Sequence, residues 1–370
     1  MTRPAYPVSC PSPGQTLLLR AALLDGAPAL QAWEQWRREG RPAPIPARLA
    51  PVLFANLHRF DSDAPGLEAL KPAATRTAMQ VLVSSRVAEP VLSRLQAAGI
   101  ATILLKGMAM AQCWYPSGAA RGFGDCDVLV RWKDVERAQG VLRSLGWYSI
   151  EEVPSVADST HAREFLGPNR CYLDLHWFAL GQCRWSGADD ALWQRARSWT
   201  MGDAPTHLLD ATDQFCHVCL HGMRNDATPW AWTCDAVTLI RTGDIDWARV
   251  HETAVARRLV PAMTAALRFL RDDLNAAIPG EVVQALEGLR VPLSDRLLFH
   301  IKTGRRPGLY FLLGAWLDYV RFRRPAGTAM ALAGFPAFLR ARWGLTRWRD
   351  LPRHAMRRLG QFLRRQRKSV

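Results

Sequence analysis

The run Asp125-Cys126-Asp127-Val128-Leu129-Val130 constrains this chain more than any other stretch of it. Its alternating and then apolar character, with Gly118, Gly122 and Gly124 upstream, is that of a strand entering a buried sheet. Residues two apart on a strand project from one face, so Asp125 and Asp127 stand side by side. At about 5 Å and an effective dielectric of about 20, two such carboxylates repel by on the order of 3 kcal/mol. A partly buried pair must then hold a proton or be met by a cation.

The flanking pattern says where such a site would sit. Upstream, Ala101 to Leu105 reads as a strand that ends at Lys106-Gly107 and passes into a helix over Met108 to Trp114. A glycine at the opening of a helix lets the backbone approach phosphate, and the helix N-terminus offers free N–H groups and the positive end of a dipole. Downstream, Asp134 to Leu145 has helical spacing and stops at Gly146. Tyr148 to Val153, Arg163 to Leu166 and Cys171 to Phe178 read as further strands. Asp174 is isolated in the last of these, and His176 shares its face. If that strand neighbours the first, Asp125, Asp127 and Asp174 form a hard-oxygen set suited to Mg²⁺ that can hold two cations, with substrate phosphates completing the site. Lys106, Gly107, Arg121 and His176 are the accompanying candidates for contacts to the substrate phosphates.

On either side of this unit the periodicity is helical. Gln15 to Leu24, Ala32 to Arg38, Ile45 to Leu57 and Leu67 to Ala98 form an expected helical layer before it. From Asp189 onward the spacing is helical again, including Ala211 to His221, Ala231 to Arg241 and Trp247 to Leu274. The expected architecture is α+β: a small mixed-sheet core flanked by N- and C-terminal helical regions. The expected boundaries are residues 1–97 for the N-terminal helices, 98–182 for the α/β core, 183–300 for the C-terminal helices and 301–370 for a basic amphipathic end.

Resemblance adds to this reading. The segment ILLKGMAMAQCWYPSGAARGFGDCDVLV (Ile103 to Val130) resembles the stretch that marks a bacterial family of uncharacterised nucleotidyltransferases, within the DNA polymerase β-like superfamily. YLDLHW (Tyr172 to Trp177), FCHVCLHG (Phe215 to Gly222) and WAWTCDAVTLI (Trp230 to Ile240) continue the likeness over roughly residues 80 to 300. The resemblance implies a polymerase β-like core and a glycine turn at Gly107. It also implies a catalytic, metal-holding triad at Asp125, Asp127 and Asp174. Many superfamily members carry a small residue after the first glycine, where this chain has Met108. The implied activity is Mg²⁺-dependent transfer of a nucleoside monophosphate from an NTP such as ATP to an acceptor that the sequence does not name. The alternative is a non-catalytic accessory protein that binds a nucleotide or a partner.

Other signals are blander. Cys216 and Cys219 form a CxxC without a second pair, and with Leu220 following they complete neither a zinc ribbon nor a haem-attachment motif, so they read as core thiols. His217 and His221 share a helix face but lack a third ligand, and packing or nucleotide contact is the better reading. Asp235 is expected to orient an arginine or cap a turn. Eight scattered cysteines fit a reducing, cytoplasmic compartment.

Charge is concentrated at the end of the chain: residues 321–370 hold fourteen Arg or Lys against one Asp, or +13 of the formal +15. Ala355, Met356, Leu359, Phe362 and Leu363 recur at helical spacing among these arginines. Such a basic amphipathic helix suits an anionic membrane surface, here the inner face, or a protein partner. Nucleic acid is disfavoured, because no base-stacking aromatics interleave with the charge. The apolar runs Leu309 to Val320 and Thr328 to Leu339 fall short of the ~20 residues that cross a bilayer.

Overall fold

The computed structural model describes residues 7, 9–41, 43–115, 121–150, 160–224, 229–304, 310–323 and 328–357. It opens with four helices, α1 (Pro13–Leu23), α2 (Ala27–Arg38), α3 (Ala50–Phe60) and α4 (Lys71–Ala97). Ser12 starts α1 through a capping box with Gln15, which satisfies donors that the first turn leaves free. The central unit follows as β1 (Thr102–Leu104), α5 (Lys106–Cys113), β2 (Asp125–Val130), α6 (Val135–Ser144), β3 (Tyr148–Ser149), β4 (Ala162–Leu166) and β5 (Tyr172–His176). After α7 (Asp190–Arg195) come β6 (Arg197–Met201) and β7 (Ala204–Leu208). The chain then continues through α8 (Ala211–Gly222), α9 (Pro229–Thr242), α10 (Trp247–Ala256), α11 (Val260–Leu274) and α12 (Gly280–Glu287) to α13 (Leu293–Thr303), α14 (Tyr310–Arg323) and α15 (Thr328–Arg342). Residues 350–357 add a further helical segment.

The strands form one mixed seven-stranded sheet in the order β3-β4-β5-β2-β1-β7-β6. Strand β2 is its organising member, antiparallel to β1 and parallel to β5. The β2–β5 register sets Asp127 directly opposite Asp174, and Asp125 opposite Tyr172. Period-two alternation then gives the sheet two unlike faces. Cys126, Val128 and Val130, with Leu173 and Leu175, enter a large apolar core shared with the flanking helices. The opposite face carries Asp125, Asp127, Asp174 and His176. On the same face, in register with His176, Leu129 joins Ile103, Leu105, Ala179, Leu192 and Leu209 in a small, fully apolar plug.

This is the expected α+β architecture of a mixed-sheet core with helices before and after it. Two local expectations are corrected. The stretch after Asp189 is not wholly helical, because the hairpin β6–β7 continues the sheet past residue 182, with β7 parallel to β1. Its strands are only five residues long, and Pro205 lies in β7, so the pattern reads poorly as a strand. Pro205 is tolerated because β7 pairs with β1 only at His207 and Leu208. The single helix expected over Trp247 to Leu274 is two, parted at Arg258, whose φ is +54°. Pro261 in the first turn of α11 marks the new start. Residues 151–153 of the expected third strand and residues 358–370 of the basic tail lie outside the described residues.

The N-terminal helices pack against the later ones as well as against the sheet. The Trp232 indole in α9 donates to the Ser9 carbonyl at 3.3 Å, and Arg241 donates to the Leu23 carbonyl. Among the described residues no helix is long and apolar enough to cross a membrane.

Candidate active site

The site is built at the start of β2, where the chain leaves the loop 121–124. Gly107 in α5 is buried, and a Cβ there would lie 2.7 Å from the Phe123 Cβ and 3.3 Å from an Arg121 guanidinium nitrogen. Glycine is therefore required at this point for the loop 121–124 to close against α5. Similarly, a side chain at Gly122 would collide with Thr77 of α4, and one at Gly124 with Arg48. The Arg121 guanidinium makes a two-pronged pair with Asp235 of α9, at 2.6 and 2.8 Å, and also donates to the Gly122 carbonyl. The Tyr115 hydroxyl donates to the same carboxylate at 3.0 Å. Arg121 and Asp235 are both buried, and the guanidinium is held charged above its ordinary range: burial opposes this, and the Asp235 charge overcomes it. The loop that delivers Asp125 and Asp127 is thus clasped to a helix more than a hundred residues later. Asp235 orients an arginine, as its sequence setting predicted.

At the sheet, Asp127 is 1% exposed and receives two groups on one oxygen. The Lys106 ammonium lies 2.5 Å from Asp127 Oδ1, and His176 Nε2 lies 2.9 Å from the same atom. An ionised carboxylate only accepts, so this tautomer of His176 carries its proton on Nε2. Ligand atoms of Asp127, Asp174 and His176 all lie within 4.8 Å of one another. Asp125 stands outside that tight group but lines the same cleft, one pleat earlier on β2.

The electrostatics express the crowding. The charge of Asp127, then burial, push the Asp125 carboxyl above its ordinary value. Burial, then the charge of Asp127, raise Asp174 to about 7. Glu164, opposite Asp174 on β4, adds to the same push. Burial alone would lower Lys106, yet Asp127, Asp125 and Asp174 together raise it. Burial, then the Lys106 charge, hold His176 well below its ordinary value, so it is a neutral hydrogen-bond donor at neutral pH. Lys106 adopts φ +50°, a left-handed conformation uncommon for a side-chain-bearing residue. A glycine would relax that backbone but would bring no ammonium to Asp127.

The donor set fits a hard divalent cation. It offers two carboxylates on adjacent strands, while the imidazole is already engaged in orienting one of them. The positive charge now beside Asp127 belongs to Lys106, a single ammonium against three carboxylates. Met108, which follows Gly107, does not obstruct the cleft. It is fully buried with its sulfur 3.3 Å from Cys126 Sγ, on the opposite face of the sheet.

The far wall of the cleft is made by α8 and α9, with His217, His221, Gly222, Trp232 and Asp235. His217 Nε2 is 3.0 Å from the Ala179 carbonyl; burial, then the Lys106 charge, lower it to about 3. Cys216 and Cys219 are buried free thiols in the same helix, and burial pushes Cys216 up to about 12. Arg48 is the lining residue that sequence reasoning missed. It precedes α3, carries no motif, and reaches the cleft beside Asp125 only through the packing of the N-terminal helices.

No curated protein matches the chain. Residues 45–275, well over half of its length, match the family described as uncharacterised nucleotidyltransferases, and the matched span takes in Arg48, the glycine turn, the carboxylates and Asp235. The chain belongs to the uncharacterised nucleotidyltransferase family.

Proposed function

We propose that this protein is a Mg²⁺-dependent nucleotidyltransferase that moves a nucleoside monophosphate from an NTP to an acceptor hydroxyl or phosphate. The observation that carries the reading is the convergence of Asp127, Asp174 and the Lys106 ammonium on one buried point of the sheet, with Asp125 beside them. Like charges held together at such cost are explained by a cation and a polyanion that both occupy the cleft.

In this reading Asp125, Asp127 and Asp174 hold the metal, and His176 fixes the orientation of Asp127 through its Nε2–H. Bound there, a divalent cation supplies charge neutralisation for the leaving pyrophosphate and an acid shift for the attacking group. Lys106 and Arg48 flank the carboxylates as the cationic contacts for the triphosphate, and a phosphate entering the cleft competes with Asp127 for the Lys106 ammonium. Arg121, engaged by Asp235, keeps the loop 121–124 closed against the cleft. The nucleoside and acceptor lie against the α8–α9 wall, where His217 and His221 present neutral imidazoles.

Calorimetric titration of ATP, GTP, CTP and UTP with Mg²⁺ into the wild type and into an Asp125→Ala, Asp127→Ala double variant tests the reading. The expected result is metal-dependent binding of at least one NTP by the wild type, lost in the variant. Failure of well-folded wild type to bind any of the four would overturn it in favour of an accessory protein.

A further inference from the structure

The same face of the sheet ends in a second cavity. Beyond the carboxylates on β2, Leu129 packs with Leu192 and Leu209 into the apolar plug. Past the plug, where β2 and β5 end, lies a cavity of about 750 Å³ that shares no lining residue with the carboxylate cleft. This volume is within the range of small-molecule sites.

Its walls combine two chemistries. Trp132 meets Trp177 edge-on at 6.3 Å and Phe178 at 5.6 Å between ring centroids, yet remains 46% exposed. Trp193 lines the cavity as well, with the Arg131 guanidinium 4.5 Å over its ring. Arg131 and Lys133 are exposed and have no carboxylate partner among the described residues. Arg184 adds a third cation to the lining, and of the two acidic residues there Asp190 is exposed while Asp189 is already engaged: it accepts from the Ala179 N–H at 2.7 Å and pairs with Arg257 at 3.2 Å. Aromatic faces alone would suit any apolar ligand, and lysine or arginine alone would suit any anion. Together they select a flat ring that carries a negative group, because the ring gains from the tryptophans and the charge gains from two exposed cations that no carboxylate engages among the described residues.

We propose that this cavity is a binding site for a small aromatic anion, separate from the carboxylate cleft. The proposal does not depend on the nucleotidyltransferase reading. Anilinonaphthalene sulfonate is a suitable probe, and its neutral counterpart phenylnaphthylamine is the control. Fluorescence titration should give one saturable sulfonate site per chain, retained in Asp127→Asn. Binding should weaken about tenfold in Trp132→Ala and about tenfold or more in an Arg131→Glu, Lys133→Glu double variant. The neutral probe should bind more weakly and be insensitive to the charge reversal. Circular dichroism and melting curves establish folding, and the exposed charge-reversal pair serves if Trp132→Ala does not fold. Absence of a saturable site, equal binding of the neutral probe, or unchanged affinity in both sets of variants would each overturn the proposal.

Discussion

The two ends of strand β2 hold opposite charge in opposite surroundings. At its start, Asp125 and Asp127 line a cleft, Asp174 on β5 brings a third carboxylate close to Asp127, and Asp127 is almost wholly removed from water. Just past its end, Arg131 and Lys133 are exposed beside half-open tryptophan. Like charges that are buried must be answered by partners built into the fold, here Lys106, His176 and the loop clasped by Asp235. Charges at the exposed end are answered by water. Substitutions at the buried end should therefore cost stability and ligand binding together, whereas those at the exposed end should alter mainly binding.

The largest expected effect is at the clasp. Asp235→Ala leaves the buried Arg121 charge without its carboxylate and should destabilise the protein by about 3–5 kcal/mol in denaturant titration. A loss below about 1 kcal/mol would mean that the clasp adds little and that the loop is held by packing. Next, Asp127→Asn should weaken Mg²⁺-dependent NTP binding by about a hundredfold or more in calorimetry. Equal affinity in that variant would break the contrast, because the buried end would then no longer be the nucleotide end. Gly107→Ala forces a Cβ against Phe123 and Arg121 and should cost about 1–3 kcal/mol, read from the denaturation midpoint.

A smaller effect comes from titration. In the metal-free protein Asp174 holds its proton to about 7, against 3.8 ordinarily. The folded state therefore binds more protons than the unfolded chain across that interval. The stability contribution of this group is present below pH ~4 and is lost as pH rises toward ~7. Melting temperatures of metal-free protein should fall over that window relative to Asp174→Asn, and Mg²⁺ should raise them again near pH 8. Parallel profiles for the two proteins would show that Asp174 is not in that environment. The smallest effect is Trp132→Ala, which loses two ring contacts at a half-exposed position and should shift stability by about 1 kcal/mol while leaving NTP binding unchanged.

Much of the site could be read from the chain because its parts are local. Asp125 and Asp127 share a face by the geometry of any strand, and Lys106-Gly107 follows a strand and opens a helix by pattern alone. Even the role of Asp235 was foreseen in kind. The clasp itself was not, because no spacing rule links residue 121 to residue 235. Arg48 was invisible for the same reason: an isolated arginine between prolines has no signature, and only the packing of α3 and α4 against the loop 121–124 brings it to Asp125. The β6–β7 hairpin escaped because five-residue strands containing Arg197 and Pro205 carry too little alternation to outweigh the helical stretches around them.

What the sequence determined by itself was the kind of chemistry: which residue types are present and which of them share a face. What only the tertiary structure decided was which of them meet. The β2–β5 register pairs Asp127 with Asp174, leaves Asp125 one pleat away and turns His176 onto Asp127 as a hydrogen-bond donor. Register is a property of two strands more than forty residues apart in the chain. It is fixed by the burial of Cys126, Val128, Leu173 and Leu175 on the opposite face, because a slip of one residue would exchange that core for carboxylates.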